Sequence, residues 1–174
     1  FDEHSVLKTF LHTSVENGVF FDITNMKLSQ ILPKQHEFDT AVILIADSNH
    51  EKCSTNPHET AKINIAGLKT IINELRQFQI RPIFISSQMV FDGSSGNYDE
   101  TNEPRPIVNY GKQKFEIESY LKNETTNYAI LRLSKVIHPR LELLIKWEKS
   151  LSLGQPIFAF SDMSLSPVSI NDVI

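Results

Sequence analysis

The sequence predicts an α/β domain built on a parallel, doubly wound sheet. Three observations carry that reading. Four apolar runs have strand length: "GVFFDIT", "TAVILIADS", "RPIFISSQ" and "NYAILRLS". The last three read as apolar on both faces, as strands of a covered parallel sheet are. Between and after these runs lie longer segments of helical period, and alternation of the two patterns is the signature of βα units.

Taken in order, the opening "FDEHSVLKTF" shows neither a strand signal nor a charged leader followed by an apolar stretch. "GVFFDIT" is the first expected strand and "TAVILIADS" the second. From Pro57 to Phe78, Ala61, Ile65, Leu68, Ile72 and Leu75 recur at the spacing of one helix face, and Asn56-Pro57 suits the start. "RPIFISSQ" is the third strand. A proline-rich loop then leads into a helix from Tyr110 to Leu121. "NYAILRLS" is the fourth strand, and a helix is expected over Pro139–Leu151. "PVSINDVI" reads as a helix start, with Ser169 as N-cap and Asp172 three residues on. The ends suggest part of a longer chain, a short complete protein being the alternative.

Composition narrows the function. Of 174 residues, 40% are hydrophobic, enough for a real core. The net charge is −4 with scattered Lys and Arg, which argues against a nucleic-acid partner. No apolar run is long enough to span a membrane. A single cysteine, Cys53, excludes an internal disulfide and suits a reducing, cytoplasmic setting. The six histidines, His4, His12, His36, His50, His58 and His138, form no metal-binding motif, so no metal is expected. No G-x-S-x-G elbow is present, which argues against an α/β-hydrolase.

Tyr110 and Lys114 carry the chemistry. Positions i and i+4 of a helix project side by side. An ammonium beside a phenol favours the phenolate and is expected to lower its pKa, so that the phenol can exchange a proton with a carbonyl or hydroxyl oxygen. Ser86 and Ser87 end a predicted strand, the edge where open α/β sheets bind ligands. A hydroxyl there can hold the reacting oxygen.

The run "ISSQMVFDGSSGNYDETNEPRPIVNYGKQKFEIE", with "YAILRLSKVI" after it, resembles the extended short-chain dehydrogenase/reductase superfamily, and within it the dTDP-4-dehydrorhamnose reductase branch. The matching positions are Ser87, Val90 to Gly93, Tyr98 with Glu100, Pro106, Tyr110-Gly111 and Lys114, within a similarity that runs from about Gly18 to the end. The resemblance implies a Rossmann-like domain over 1–174, lacking its first strand-turn-helix and its C-terminal part. It implies NADP or NAD as cofactor and a nucleotide-sugar substrate, and it allows a homodimer. Tyr110 would be the acid/base, Lys114 would tune it and hold the nicotinamide ribose, and Ser87 would hold the substrate oxygen, with Gln88 and Met89 beside it. Asp22 with Ile23 would meet the adenine side, Ala46 the phosphate-ribose path, and Asn64 would stand in the helix behind the site. Asp22 also reads as an ordinary strand-end turn, and Asn64 as a helix-surface or packing polar group.

Three departures stand out. None of the six glycines forms a glycine-rich phosphate turn. Gln88 stands where the branch often has Asp. Asp47 follows Ala46 where a small apolar residue is usual, and a carboxylate there is expected to repel phosphates. A non-catalytic relative serving as a nucleotide-binding regulatory subunit is the second reading.

Overall fold

The computed structural model describes residues 5–33, 37–159, 161 and 166–173; His4 and His36 lie outside them. The chain divides into two compact units, Phe1–Arg132 and Leu133–Ile174.

In the first unit, β1 (Lys8–Phe10) pairs in parallel with β2 (Gly18–Phe20). No strand was expected at the opening, because three residues flanked by polar ones leave no periodic signal. The link is short for a parallel pair. Asn17 turns it in the left-handed region (φ 57°), and the Gly18 N–H closes the turn on the Val15 carbonyl at 2.9 Å. This pair is separate from the main sheet, so "VFFD" does not share a ladder with the other three runs as expected.

The main sheet has the order β3 (Thr40–Ile43), β4 (Arg81–Ser87), β5 (Ala129–Leu133). β3 and β4 are parallel, with Ile43 opposite Phe84. Between them come α1 (His50–Thr55), α2 (Pro57–Ala61), a π-helical stretch over Lys62–Gly67, and α3 (Leu68–Gln77). Pro57 takes the first turn of α2, as expected. The π stretch changes which side chains turn inward. Asn64 is buried, and Ile65 of the predicted stripe is only partly so. α4 (Asn109–Glu124) then brings Ile117 and Leu121 onto Phe84, Ile43, Leu68 and Ile72 in one apolar cluster. On the other face, Val42 of β3 and Leu44 just beyond it are 56% and 74% exposed, so within the first unit the described residues cover one face of this strand.

In the second unit, β6 (Val136–Ile137) and β7 (Val168–Ser169) pair in parallel. α5 (Glu142–Ser152) buries no residue. α6 (Ile170–Val173) begins where expected, with Ser169 Oγ accepting from the Asn171 N–H at 3.2 Å.

Candidate active site

Helix α4 starts against the end of β4, and glycine permits the approach. A Cβ at Gly111 would run into the Met89 carbonyl and crowd Pro106. The chain after β4 makes a 3₁₀ turn over Gln88–Val90, capped by Ser87 Oγ accepting from the Met89 N–H at 3.2 Å. Gly111, next to Tyr110, therefore packs on Met89 in the turn that follows Ser87. Lys114, one turn further on, donates from Nζ to the Ile85 carbonyl at 2.8 Å, two residues before Ser87. Its ammonium lies 4.6 Å from the Phe84 ring centroid and 5.7 Å from that of Tyr110. Among the described residues, the Tyr110 hydroxyl makes no hydrogen bond and the Ser87 hydroxyl donates none. Both remain available to a ligand oxygen.

The electrostatics correct one expectation. The Tyr110 phenol is not pulled down by Lys114. Burial pushes it above its ordinary value, with a smaller push from Cys53. The lysine is desolvated too: burial lowers its ammonium to about 8, against a partial rise from Glu118. Turned to a backbone carbonyl beneath two rings, the ammonium does less for the phenolate than i, i+4 spacing implies.

The strand-end loop after β3 is also built differently from the sequence reading. The ladder stops at Ile43, so Ala46 lies in the loop rather than at the strand end. The Asn64 side chain takes over as partner. Its Oδ1 accepts from the Asp47 N–H at 2.8 Å, and its Nδ2 donates to the Asp47 carbonyl at 2.9 Å. Asn64 Nδ2 also donates to Gln113 Oε1 at 2.8 Å, and Gln113 Nε2 to Thr60 Oγ1 at 2.9 Å. The loop is thereby tied to the residue beside Lys114. Asn64, read as a surface or packing group or a residue behind the site, is 2% exposed and does the tying. Asp47 is not an isolated negative charge, because Lys52 Nζ pairs with its carboxylate at 2.5 Å.

Asp22 is held locally. Thr24 donates to Oδ1 from its N–H (2.9 Å) and hydroxyl (2.6 Å), and Asn25 Nδ2 to Oδ2 at 2.7 Å. These bonds keep its carboxyl below the usual range. The Ile23 side chain is buried against Gly67, so a ligand could meet only its backbone. The residue the sequence did not single out for the site is His50, whose ring lies 5.1 Å, centroid to centroid, from that of Tyr110. Nothing in the sequence signals a contact between positions so far apart. Among the described residues no three His, Cys, Asp or Glu side chains gather as a metal site would need, and no helix is long and apolar enough to cross a membrane.

The profile of the RmlD substrate binding domain family matches residues 9–173. The chain belongs to that family. This RmlD-type chain is 28% identical over 159 residues to the probable low-salt glycan biosynthesis reductase Agl14 of Haloferax volcanii, which covers 87% of this chain and 53% of that protein. It is 28% identical over 111 residues to methionine adenosyltransferase 2 subunit beta of Rattus norvegicus, covering 63% of this chain and 33% of that one. The chain thus spans about half the length of the first relative and a third of the second. Among solved structures, a hypothetical dTDP-4-dehydrorhamnose reductase from Sulfolobus tokodaii superposes with a TM-score of 0.85 at 26% identity, over 99% of this chain and 62% of that one. MoeE5, solved with UDP-glucose and NAD, shares the fold, with a TM-score of 0.74 at 20% identity over 90% of this chain and 55% of that one. The RmlD-type chain therefore has a Rossmann-like α/β architecture and represents part of the full fold.

Proposed function

We propose that the chain carries the catalytic residues of an NAD(P)-dependent reductase or epimerase for a nucleotide-activated sugar, similar to dTDP-4-dehydrorhamnose reductase, acting in the cytoplasm. One observation supports this reading: Gly111, next to Tyr110, packs on the turn that Ser87 caps, and the Lys114 ammonium lies 5.7 Å from the ring of Tyr110, whose hydroxyl has no hydrogen-bond partner among the described residues. This donor set fits a ribose and a sugar carbonyl oxygen. Pairing of Asp47 with Lys52 relieves the repulsion that a bare carboxylate would exert on phosphates.

When bound, the nicotinamide supplies or accepts the hydride. Ser87 donates a hydrogen bond to the sugar oxygen and fixes its direction. Tyr110 gives its proton to that oxygen as charge develops there, or takes it back in the reverse direction. The raised phenol pKa keeps Tyr110 protonated at neutral pH, which suits donation, the reductive direction. Lys114 steadies the transient phenolate and meets the ribose. Asp22, the backbone of Ile23, Ala46 and Asn64 form the cofactor side in this reading, and Gln88 and Met89 flank the substrate.

The test is Tyr110→Phe in the full-length protein. The ring's packing is kept and one hydroxyl is lost. Turnover of a dTDP- or UDP-4-keto sugar is expected to fall roughly 10²–10⁴-fold, with dinucleotide affinity little changed. A Tyr110→Phe protein that turns over at the wild-type rate ends this reading. The similarity to a methionine adenosyltransferase β subunit favours a second reading, a nucleotide-binding regulatory subunit. It is supported if the wild type binds NAD(P), turns over no nucleotide sugar, and activates a partner enzyme equally well with Phe at position 110.

A further inference from the structure

We propose that His50 is a positioning residue for Tyr110, its imidazole backing the phenol ring so that the hydroxyl is held toward a single ligand oxygen. The proposal rests on the reading of Tyr110 as the proton-transferring residue. The two rings lie 5.1 Å apart between centroids at an interplanar angle of 30°, within contact range of offset aromatic pairs. With no hydrogen bond to its hydroxyl among the described residues, ring packing is what orients the phenol.

The frame that carries His50 is built to hold it. His50 is the first residue of α1, and Asn49 caps that helix by accepting from the Lys52 N–H at 2.9 Å. Asp47, just ahead, is fixed by the two Asn64 bonds and by Lys52. On the other side, Gln113 ties α4 to Asn64, so the elements bearing the two rings share one buried polar network. A six-residue helix of ordinary propensity would fray without such tethers. Held in place, the imidazole also keeps water from one side of the phenol, in keeping with the burial that raises its pKa. From α4 the phenol faces Lys114, and from α1 it faces Cys53 and His50. The loop ahead of α1 brings Asp47, already paired with Lys52. The turn after β4, on which Gly111 packs, carries no titratable side chain over Gln88–Val90.

The experiment follows the Tyr110 ring and turnover in the full-length protein. With ¹³C-tyrosine labelling, the Tyr110 resonance is identified by its loss in Tyr110→Phe, and its ionisation is titrated. In His50→Ala the midpoint is expected to drop toward the ordinary phenol value of about 10. In His50→Phe, which keeps a ring in place, it stays at or above the wild-type value. Turnover of a nucleotide 4-keto sugar should fall on the order of 10-fold in His50→Ala at unchanged KM, less than the 10²-fold that a misplacement of about 1 Å can cost. His50→Phe should restore it. An unmoved midpoint in His50→Ala, or His50→Phe performing no better than His50→Ala in either measurement, overturns the proposal. If the wild type turns over no nucleotide sugar, the enzymatic reading falls by itself, and the titration alone decides whether His50 backs the phenol.

Discussion

Helix α4 carries two buried polar clusters, one on each side of Lys114, and they are built from opposite materials. At Gln113 everything is neutral: Asn64, Thr60 and the Asp47 backbone are linked by amide and hydroxyl bonds. At Glu118 the cluster is charged. The carboxylate is fully buried, accepts 2.6 Å from Ser86 Oγ, and is gripped by Arg132 through Nε (3.1 and 3.2 Å) and a terminal nitrogen (2.7 Å). Arg132 continues outward under Phe91, which stacks on Tyr98, whose hydroxyl donates to Asp92. The charged cluster thus runs from the core to the loop after β4. The neutral one ties the loop after β3. Together they set both strand-end loops relative to one helix, and Lys114 stands between them.

The two clusters should fail differently. A neutral network that loses one member leaves a dipole unsatisfied, and a charged one leaves a buried ion. Arg132→Met strands Glu118 and is expected to cost about 3–5 kcal/mol in denaturant unfolding. Replacing both, Glu118→Leu with Arg132→Met, should recover much of that loss, since an apolar pair of similar volume can substitute for a buried ion pair. Should the single and double variants prove equally unstable, the contrast between the clusters is wrong. Gln113→Ala should cost less, about 1–3 kcal/mol, by stranding the amide of Asn64 and the hydroxyl of Thr60.

Lys114 sharpens the comparison through pH. Its folded-state value of about 8 lies below the ordinary 10.5. Between these values the unfolded chain binds more protons than the folded one, so stability rises with pH across that window. Lys114→Met is expected to remove that rise in melts taken between pH 8 and 10.5. The Tyr110 phenol acts oppositely above its ordinary value, because there the folded state holds the extra proton. A wild type whose stability is flat over the window would show that the ammonium is better solvated than its place beneath Phe84 implies.

The sheet strands and the helices over Pro57–Phe78 and Tyr110–Leu121 were readable because apolar residues recur with the right period. The i, i+4 pair of Tyr110 and Lys114 was readable for the same reason. Long-range and neutral features were not. α1 is too short and too polar to show a stripe, and it exists through the Asn49 cap and the Asp47 tether. Asn64 stayed between a surface and a packing role because a regular helix puts Ile65 on the inner face; the π stretch turns Asn64 inward. Nothing in "KFEIESYL" marks Glu118 as buried, and its partners, Ser86 and Arg132, lie in strands on either side of the helix in sequence. The direction of the Tyr110 shift depended on where the Lys114 ammonium points, which spacing alone does not specify.

The proposed site depends on the turn after β4 pressing on the start of α4 at a residue with no side chain. Gly111→Ala tests it most directly, since the added methyl meets the Met89 backbone rather than a movable side chain. The measurement is kcat for a nucleotide 4-keto sugar, with a thermal melt as control for folding. A loss of about 10²-fold or more is expected, the scale of misplacing a reacting group by about 1 Å. The expected stability cost is only about 1–3 kcal/mol, the usual range for overpacking. A Gly111→Ala protein that folds and keeps wild-type kcat would contradict this dependence, because the Tyr110 end of α4 could then shift away from Ser87 without consequence.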